Sequence, residues 1–481
     1  MKKFYKYLLY IMPLVLYFSY FPVIKLGENE TMYFELSLPL IWLVVFDAFS
    51  LIMVCKKYRR ELFSHVFGSI LWWLFPLFAT ISVAWSLNVT RGFLTVGVMW
   101  SLFFAAVFFY ELRENLDSKF WKVFWRWFLG SALLSCLWCV VQCILDVSGA
   151  SQEASLLCDG CVYQMFGFPH PNGWAIEPQF MGNLLLAPIF VVGANLIAAC
   201  PSDTRRAARP SLKSVEHIAI RFAPLLFFIF SATLFLTFSR GAIYACVVGL
   251  IFLLSFAVAR AKKSEIKKVV VSSLKTLGVF VLAFLFTLNL QGILTAVSPT
   301  ADTYGDGVAK VLNHLSLGII DVKGGEKVPE GSDEIIPVEP VENSSEPVEN
   351  SVYSGYVEES TDTRVRLAFD AVKVWHQDFK TALVGVGLGG AGQALFDNGY
   401  SPAPREIVQN EYAEILLETG VVGVSLFAVI LILVIRVILK NRKVAGMLLS
   451  LLLAYGISLC FFSGLPNALH IVLILGILVL I

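Results

Sequence analysis

The stretch TDTRVRLAFDAVKVWHQDFKTALVGVGLGGAGQALFDNGYSPAPREIVQNEYAEILLETGVVG, from Thr361 to Gly423, is a polar interval between long apolar runs. It holds three arginines, a glycine-rich turn and an acidic segment. A polar interval between two membrane spans can cover a cavity at the membrane surface, so we predict that it forms a lid. Because guanidinium groups suit bidentate phosphate binding, the arginines predict that the lid helps to bind a phosphate-bearing lipid carrier.

The composition of the remaining chain is that of a membrane protein. Of its 481 residues, 57% are hydrophobic and 15% are charged, whereas globular domains average about 45–50% apolar and about 25% charged residues. The apolar runs are long enough for helices to cross hydrocarbon, and they lack the alternation of barrel strands. We therefore predict an all-α polytopic membrane protein with about twelve transmembrane helices. The predicted spans are 4–25, 33–55, 66–87, 92–110, 123–146, 180–199, 222–238, 241–259, 268–290, 421–439, 444–463 and 466–481.

The basic residues cluster in alternate loops, which predicts that these loops and both termini face the cytoplasm. The chain then divides into a membrane domain of nine spans (1–290), a large outside loop (291–420) and three further spans (421–481). Within the outside loop, the Glu- and Pro-rich range 323–360 predicts a disordered acidic insert. The range 361–419 predicts the lid helices.

The outside loop 147–179 contains three prolines in the run FPHPNGWAIEP, which predicts a folded, partly re-entrant turn. Cys158 and Cys161 in the same loop predict a local disulfide. Tryptophan at a membrane interface is ordinarily an anchor, and this alternative stays open. The side chains of this loop that could contact a glycan are Asn172, Trp174 and Glu177.

Four arginines are candidates for an anion site. Arg240 lies between two apolar runs in LTFSRGAIYA, where a charge is costly unless it snorkels or meets an anion; a topological anchor is the alternative. Arg364 and Arg366 are two residues apart and so point in different directions on one helix, which predicts that only one faces a cavity. Arg91 could join the site or contact a lipid headgroup.

The segment QNEYAEILLETG places Glu411, Glu414 and Glu418 on one helical face. Such a row is typical of a solvated face, but if it lined a cavity Glu411 would be a candidate general base for a sugar hydroxyl. The preceding VGVGLGGAG lacks the Lys-Ser/Thr of a P-loop and predicts a hinge or a plain loop. Neither a metal-ligand spacing nor a nucleic-acid-binding patch is found, so we predict no metal, no cofactor and no nucleic acid.

Several motifs together resemble the O-antigen ligase and polymerase superfamily. These motifs are AWSLNV, FPHPNGWAIEP, TFSRGA, TRVRLAFDA before GVGLGG, and QNEYAEILLETGVVG. The resemblance implies a GT-C-like, metal-independent glycosyltransferase at the periplasmic face of the bacterial inner membrane. It also implies an undecaprenyl-diphosphate-linked glycan as donor, a second glycan as acceptor, and surrounding membrane lipids.

The resemblance further implies roles for individual residues. The donor diphosphate would be bound by Arg240 and by Arg364, with Arg366 as the alternative. Gln409 precedes Asn410, where ligases of this family carry a functional histidine. Because glutamine can orient a hydroxyl but cannot act as a base, this departure favours a repeat-unit polymerase of O-antigen or capsule. A ligase that attaches glycan to lipid A core or protein is the alternative; a lipid or glycan transporter is a more distant one, since no internal repeat is found.

Overall fold

The structure is a computed structural model that describes residues 2–19, 23–29, 32–57, 69–147, 162–165, 168–175, 177–198, 210–297, 311, 315, 356–440 and 444–463. These residues are mostly helical and include two antiparallel hairpins, β1–β2 and β3–β4. The helices are α1 Lys2–Tyr17, α2 Leu38–Lys57, α3 Leu74–Ser82, α4 Val89–Leu112, α5 Ser118–Val147, α6 Pro178–Ala198, α7 Pro210–Leu236, α8 Arg240–Arg260, α9 Ile266–Val297, α10 Tyr356–Trp375, α11 Phe379–Val384, α12 Ala391–Asp397, α13 Glu411–Lys440 and α14 Ala445–Ser458. The strands are β1 Val23–Asn29, β2 Met32–Ser37, β3 Val162–Met165 and β4 Phe168–Pro171.

Seven of the described helices are long and apolar enough to cross a membrane. They contain the segments Leu38–Cys55, Val89–Leu112, Ser118–Leu145, Pro178–Ile197, Arg240–Arg260, Ile266–Leu290 and Glu411–Lys440. Shorter apolar helical segments are Ile70–Trp85, Phe222–Leu236 and Ala445–Ser458. All of these segments overlap predicted spans. The predicted span 466–481 lies outside the described residues, so the count of twelve stays a prediction.

The first predicted span, 4–25, is wrong at its C-terminal end. Helix α1 ends at Tyr17, and residues from Val23 form strand β1, which pairs with β2. The run FPVIKLGEN explains the change, because proline disfavours helical backbone in the residue before it and Val and Ile favour strands. The second predicted span therefore begins as β2, and helix α2 starts only at Leu38.

Helix α6 lies at the centre of the described helices. In the most apolar part of the segment Pro178–Ile197, 83% of the residues are buried inside the protein. The helix packs against α7, α8 and α14. Gly182 allows the approach of α8, since a Cβ at this position would lie 2.8 Å from the Cβ of Ala242. Small residues at a helix contact permit such close packing in membranes. The N-terminal part of α6 is thereby held beside the first turn of α8.

The predicted folded turn before α6 consists of the β3–β4 hairpin and a tight turn at residues 172–175. Cys158 and Cys161 lie outside the described residues, so their disulfide stays a prediction. The acidic insert, predicted for 323–360, also lies outside them except at its end. There helix α10 begins at Tyr356, within the range predicted for the insert.

The glycine-rich loop between α11 and α12 is a tightly packed connection. Val386 N donates to the carbonyl of Leu417 on α13 at 2.9 Å, and Leu87 N donates to the carbonyl of Val386 at 3.3 Å. A Cβ on Gly389 would lie 2.4 Å from the backbone nitrogen of Gly92. The glycines therefore allow backbone to approach backbone, and the structure does not bear out the hinge considered from the sequence.

Candidate functional site

Helix α10 directs its two arginines to different sides. Leu367, Ala371 and Val374 form its buried face, which packs in one apolar cluster with residues of α12 and α13. Arg364 precedes Leu367 by three residues and so shares that face, whereas Arg366 is exposed. Arg364 contacts the membrane domain. Arg366 makes no hydrogen bond or ion pair with any residue that the structure describes.

Three groups surround the guanidinium of Arg364. Its Nη1 donates to Oε1 of Gln179 at 2.8 Å and to the carbonyl of Phe461 at 3.2 Å. Its Nη2 lies 3.9 Å from Oε2 of Glu177. Gln179 also donates from Nε2 to the Phe461 carbonyl at 3.1 Å. Each of Arg364, Gln179 and Phe461 is therefore hydrogen-bonded to the other two. The Arg364 side chain is 31% exposed, which leaves part of the guanidinium accessible.

Phe461 connects Arg364 to the turn that carries Arg240. Gly241 packs directly on the Phe461 side chain, since a Cβ there would lie 2.9 Å from its Cγ. Arg240 is the first residue of α8 and is partly buried, and Ser239 caps the helix by accepting a hydrogen bond from Ala242 N. The structure thus brings together the elements of both predicted arginines. The N-terminus of a helix also carries partial positive charge, which favours anions.

Residues 459–463, which follow α14, form a turn that contacts several parts of the site. The carbonyl of Leu459 accepts a hydrogen bond from Glu411 N at 3.0 Å. The carbonyl of Cys460 accepts one from Nδ2 of Asn410 at 3.1 Å. Together with the contacts of Phe461, these bonds join the start of α13 to Arg364. The sequence predicted that a membrane span would continue through this turn to 463, whereas α14 ends at Ser458.

Gln409, Asn410 and Glu411 form the junction that leads into α13. Oδ1 of Asn410 accepts hydrogen bonds from the backbone nitrogens of Tyr412 and Ala413, both at 3.1 Å. Asn410 is therefore the N-cap of the helix. Gln409 adopts a left-handed backbone with φ 62°, and its side-chain amide makes no hydrogen bond within the described part of the chain.

Arg91 lies in a buried acidic cluster. Its Nη2 is 4.0 Å from Oε1 of Glu414, and its Nη1 donates to the carbonyl of Glu406 at 3.3 Å. Glu414 and Glu418 are 6% and 5% exposed, so the acidic row does not form the solvated face typical of its spacing. With two buried carboxylates nearby, the charge of Arg91 is balanced inside the protein. This arrangement makes Arg91 a poorer anion ligand than Arg364.

Two of the three residues predicted to contact sugar have side chains that contact other protein groups instead. Asn172 is fully buried: its Oδ1 accepts from Nε2 of Gln142 at 3.0 Å, and its Nδ2 donates to the carbonyl of Ala175 at 2.8 Å. The indole of Trp174 stacks on Phe18 and Trp138, with ring centroids 4.5 and 5.6 Å apart. Both residues therefore build the turn before α6. Glu177, the third, lies beside Arg364.

Two residues at the centre of the site were missed by the sequence analysis. Gln179 follows the last proline of its loop and reads as the start of an apolar span, and Phe461 acts through its backbone carbonyl. A backbone carbonyl carries no side-chain signature, so no sequence signal marks Phe461. Gln179 did have one signal, because it is a polar residue in the first turn of a mostly apolar helix.

The fold and the site together define a helical membrane protein with a cationic, partly open site at one end of its helices. Residues 225–428 match the family model described as O-antigen ligase. This match confirms the resemblance seen in the motifs, and it covers less than half of the chain. The matched range includes Arg240, Arg364, Gln409 and Glu411, whereas Gln179 and the turn 459–463 lie beyond it. No curated protein matches the chain.

The chain's apolar helices are those of a multi-pass membrane protein, and residues 225–428 are similar to a family that is described as O-antigen ligase.

Proposed function

We propose that the protein polymerises undecaprenyl-diphosphate-linked oligosaccharide repeat units of O-antigen or capsule at the periplasmic face of the bacterial inner membrane. In this proposal the twelve-span topology places residues 291–420 outside, and residues 361–419 cover the site as a lid. The alternation of basic loops supports this orientation.

The observation that carries the proposal is the meeting of Arg364 with the first turn of α8 at Phe461. Two arginines from distant parts of the chain thus belong to adjoining elements. A diphosphate offers several anionic oxygens, and charge-assisted bonds from planar guanidinium groups suit them. The N-terminus of α8 adds a favourable field for the same anion.

The reaction is a displacement at the anomeric carbon of the donor. The acceptor hydroxyl oxygen forms the new glycosidic bond, the bond to the diphosphate oxygen breaks, and the anomeric configuration inverts. Arg240 and Arg364 stabilise the negative charge that develops on the departing diphosphate. Gln409 orients the acceptor hydroxyl, and Glu411 is the candidate to take its proton.

A ligase is the second candidate, because the matching family model is described as O-antigen ligase. A ligase would pass the finished glycan to lipid A core or to protein. The residue that distinguishes the two is Gln409, which stands where the resemblance places a histidine in ligases. Glutamine has no basic nitrogen near neutral pH, and this supports the polymerase.

A deletion strain distinguishes these functions when its surface glycan is separated on a gel. Loss of a polymerase leaves single repeat units attached to the core. Loss of a ligase leaves unattached, lipid-linked chains of full length. A deletion strain with wild-type glycan and no accumulated lipid-linked intermediate would contradict both functions. Reintroducing the gene is the control.

A further inference from the structure

Gln409 has a backbone conformation that is unusual for its residue type. Its φ of 62° lies in the left-handed region, which residues with a Cβ rarely adopt unless their surroundings hold them there. Such conformations cluster at functional sites. Groups around Gln409 must therefore hold its backbone in this conformation.

Ser463 and Glu414 supply the contacts. Gln409 N donates to Oγ of Ser463 at 3.0 Å, and the Ser463 hydroxyl in turn donates to Oε2 of Glu414. The same carboxylate oxygen accepts from the backbone nitrogen of Val408 at 3.4 Å. One carboxylate therefore fixes two successive backbone nitrogens, one directly and one through a hydroxyl.

The environment of Glu414 strengthens these bonds. Its side chain is 9% exposed, and Nη2 of Arg91 lies 4.0 Å from its other oxygen. Hydrogen bonds to a charged acceptor away from water are stronger than those between neutral groups. Arg91 thus keeps a buried carboxylate in place, and that carboxylate holds the backbone of Gln409.

The side chain of Gln409 differs from those of its neighbours in its contacts with the described residues. Its neighbours Asn410 and Glu411 are bonded to the turn 459–463, whereas the Gln409 amide bonds to no residue that the structure describes. A fixed backbone whose amide is not bonded to the described protein groups is the geometry expected of a group that orients a ligand.

We infer that Ser463 and Glu414 are positioning residues that hold Gln409 in its left-handed conformation, so that its amide meets the acceptor hydroxyl. The inference rests on the proposed glycan transfer and assigns a task to two residues outside the arginine site. Neither residue touches the substrate itself. Their effect on transfer therefore passes through Gln409.

A double-mutant cycle tests this dependence. The purified full-length protein in detergent is given lipid-linked oligosaccharide extracted from the deletion strain, and the transfer rate is measured per folded protein. We expect Ser463→Ala to lower kcat about tenfold. In a Gln409→Gly background, which has neither the amide nor the strained Cβ, Ser463→Ala should change kcat by less than about twofold.

Two further variants guard against simple misfolding. Ser463→Thr retains the hydroxyl and is expected to restore most of the rate. Ser425→Ala removes a hydroxyl that, among the described residues, bonds within its own helix to Val421 O at 2.7 Å, and it is expected to leave the rate unchanged. A tenfold loss from Ser463→Ala in both backgrounds, or no loss in either, would overturn the positioning role.

Different results would contradict the proposed function and the positioning role. If Arg364→Ala transfers glycan at the wild-type rate, the diphosphate site is wrong whatever the cycle gives. If Arg364→Ala is inactive and the Ser463 effect is independent of Gln409, only the positioning role is wrong.

Discussion

Arg364 and Arg366 show how one helical position decides a residue's role. Both are cations on α10, and their helical spacing alone does not show which of them faces the membrane domain. Arg364 shares a face with buried Leu367, Ala371 and Val374, so the apolar contacts of α10 turn its guanidinium toward Gln179 and Phe461. Arg366 is therefore a suitable control for substitutions of Arg364, since the two residues differ mainly in the direction of the side chain.

Asn172 gives a residue-scale prediction about stability. Asn172→Ala leaves Gln142 and the Ala175 carbonyl each short of a hydrogen-bond partner in a fully buried site, at a cost of about 1–3 kcal/mol. We expect a lower melting temperature of the purified protein. The control is Asn398→Ala, which removes similar amide bonds at an exposed site and should cost little. Unchanged melting with weakened acceptor binding would instead support the sugar contact predicted for Asn172.

At the scale of elements, the glycine-rich loop is a packed connection between α3–α4 and α13. Gly389 (φ 80°) and Gly399 (φ 73°) both have left-handed backbones, but a Cβ at Gly399 would meet none of the described atoms within 4 Å. An alanine costs about 1–2 kcal/mol at either position from backbone strain. At Gly389 overpacking against Gly92 adds about 1–3 kcal/mol.

We therefore expect Gly389→Ala to lower the melting temperature and the yield of folded protein more than Gly399→Ala does. Fluorescence-detected size exclusion with thermal challenge measures both. Equal decreases in melting temperature for the two variants would mean that the loop can shift to accommodate a Cβ at Gly389, as a flexible hinge could.

Most membrane elements could be predicted from the sequence, because the length and apolar character of a span are local properties. The helices over 89–112, 178–198 and 240–260 follow their predicted ranges within a few residues. The first span failed because its apolar run continues into residues that form a strand. Gly420, which from the sequence could either end the acidic helix or mark its junction with the tenth span, interrupts α13 with a φ of 62°.

The site was predictable only in part, because it is assembled from distant segments. The sequence nominated Arg364, Glu177 and Gln409 but could not show that the turn 459–463 joins them. That turn acts through the carbonyls of Leu459, Cys460 and Phe461, which any residue type provides. Burial of Glu414 and Glu418 also depends on where α4 lies, which the helical spacing of the row does not reveal.

At the scale of the whole molecule, the proposed orientation can be tested with single cysteines. Phe379 is 82% exposed and belongs to the predicted outside lid, whereas exposed Lys263 lies in a basic loop predicted to be cytoplasmic. A membrane-impermeant maleimide should label Phe379→Cys in spheroplasts. It should label Lys263→Cys only after permeabilisation, with wild-type labelling as background. The reverse pattern would contradict the orientation.

The central claim is that Arg240 and Arg364 bind the donor diphosphate, and the affinity of the purified full-length protein for undecaprenyl diphosphate measures it most directly. Hydrogen bonds to charged groups contribute about 1.5–3 kcal/mol, so we predict about tenfold to a hundredfold weaker binding for Arg240→Ala and for Arg364→Ala. Arg366→Ala, the matched control on the exposed side of α10, should bind as the wild type does. Wild-type affinity in Arg240→Ala and Arg364→Ala, or an equal loss in Arg366→Ala, would contradict the account.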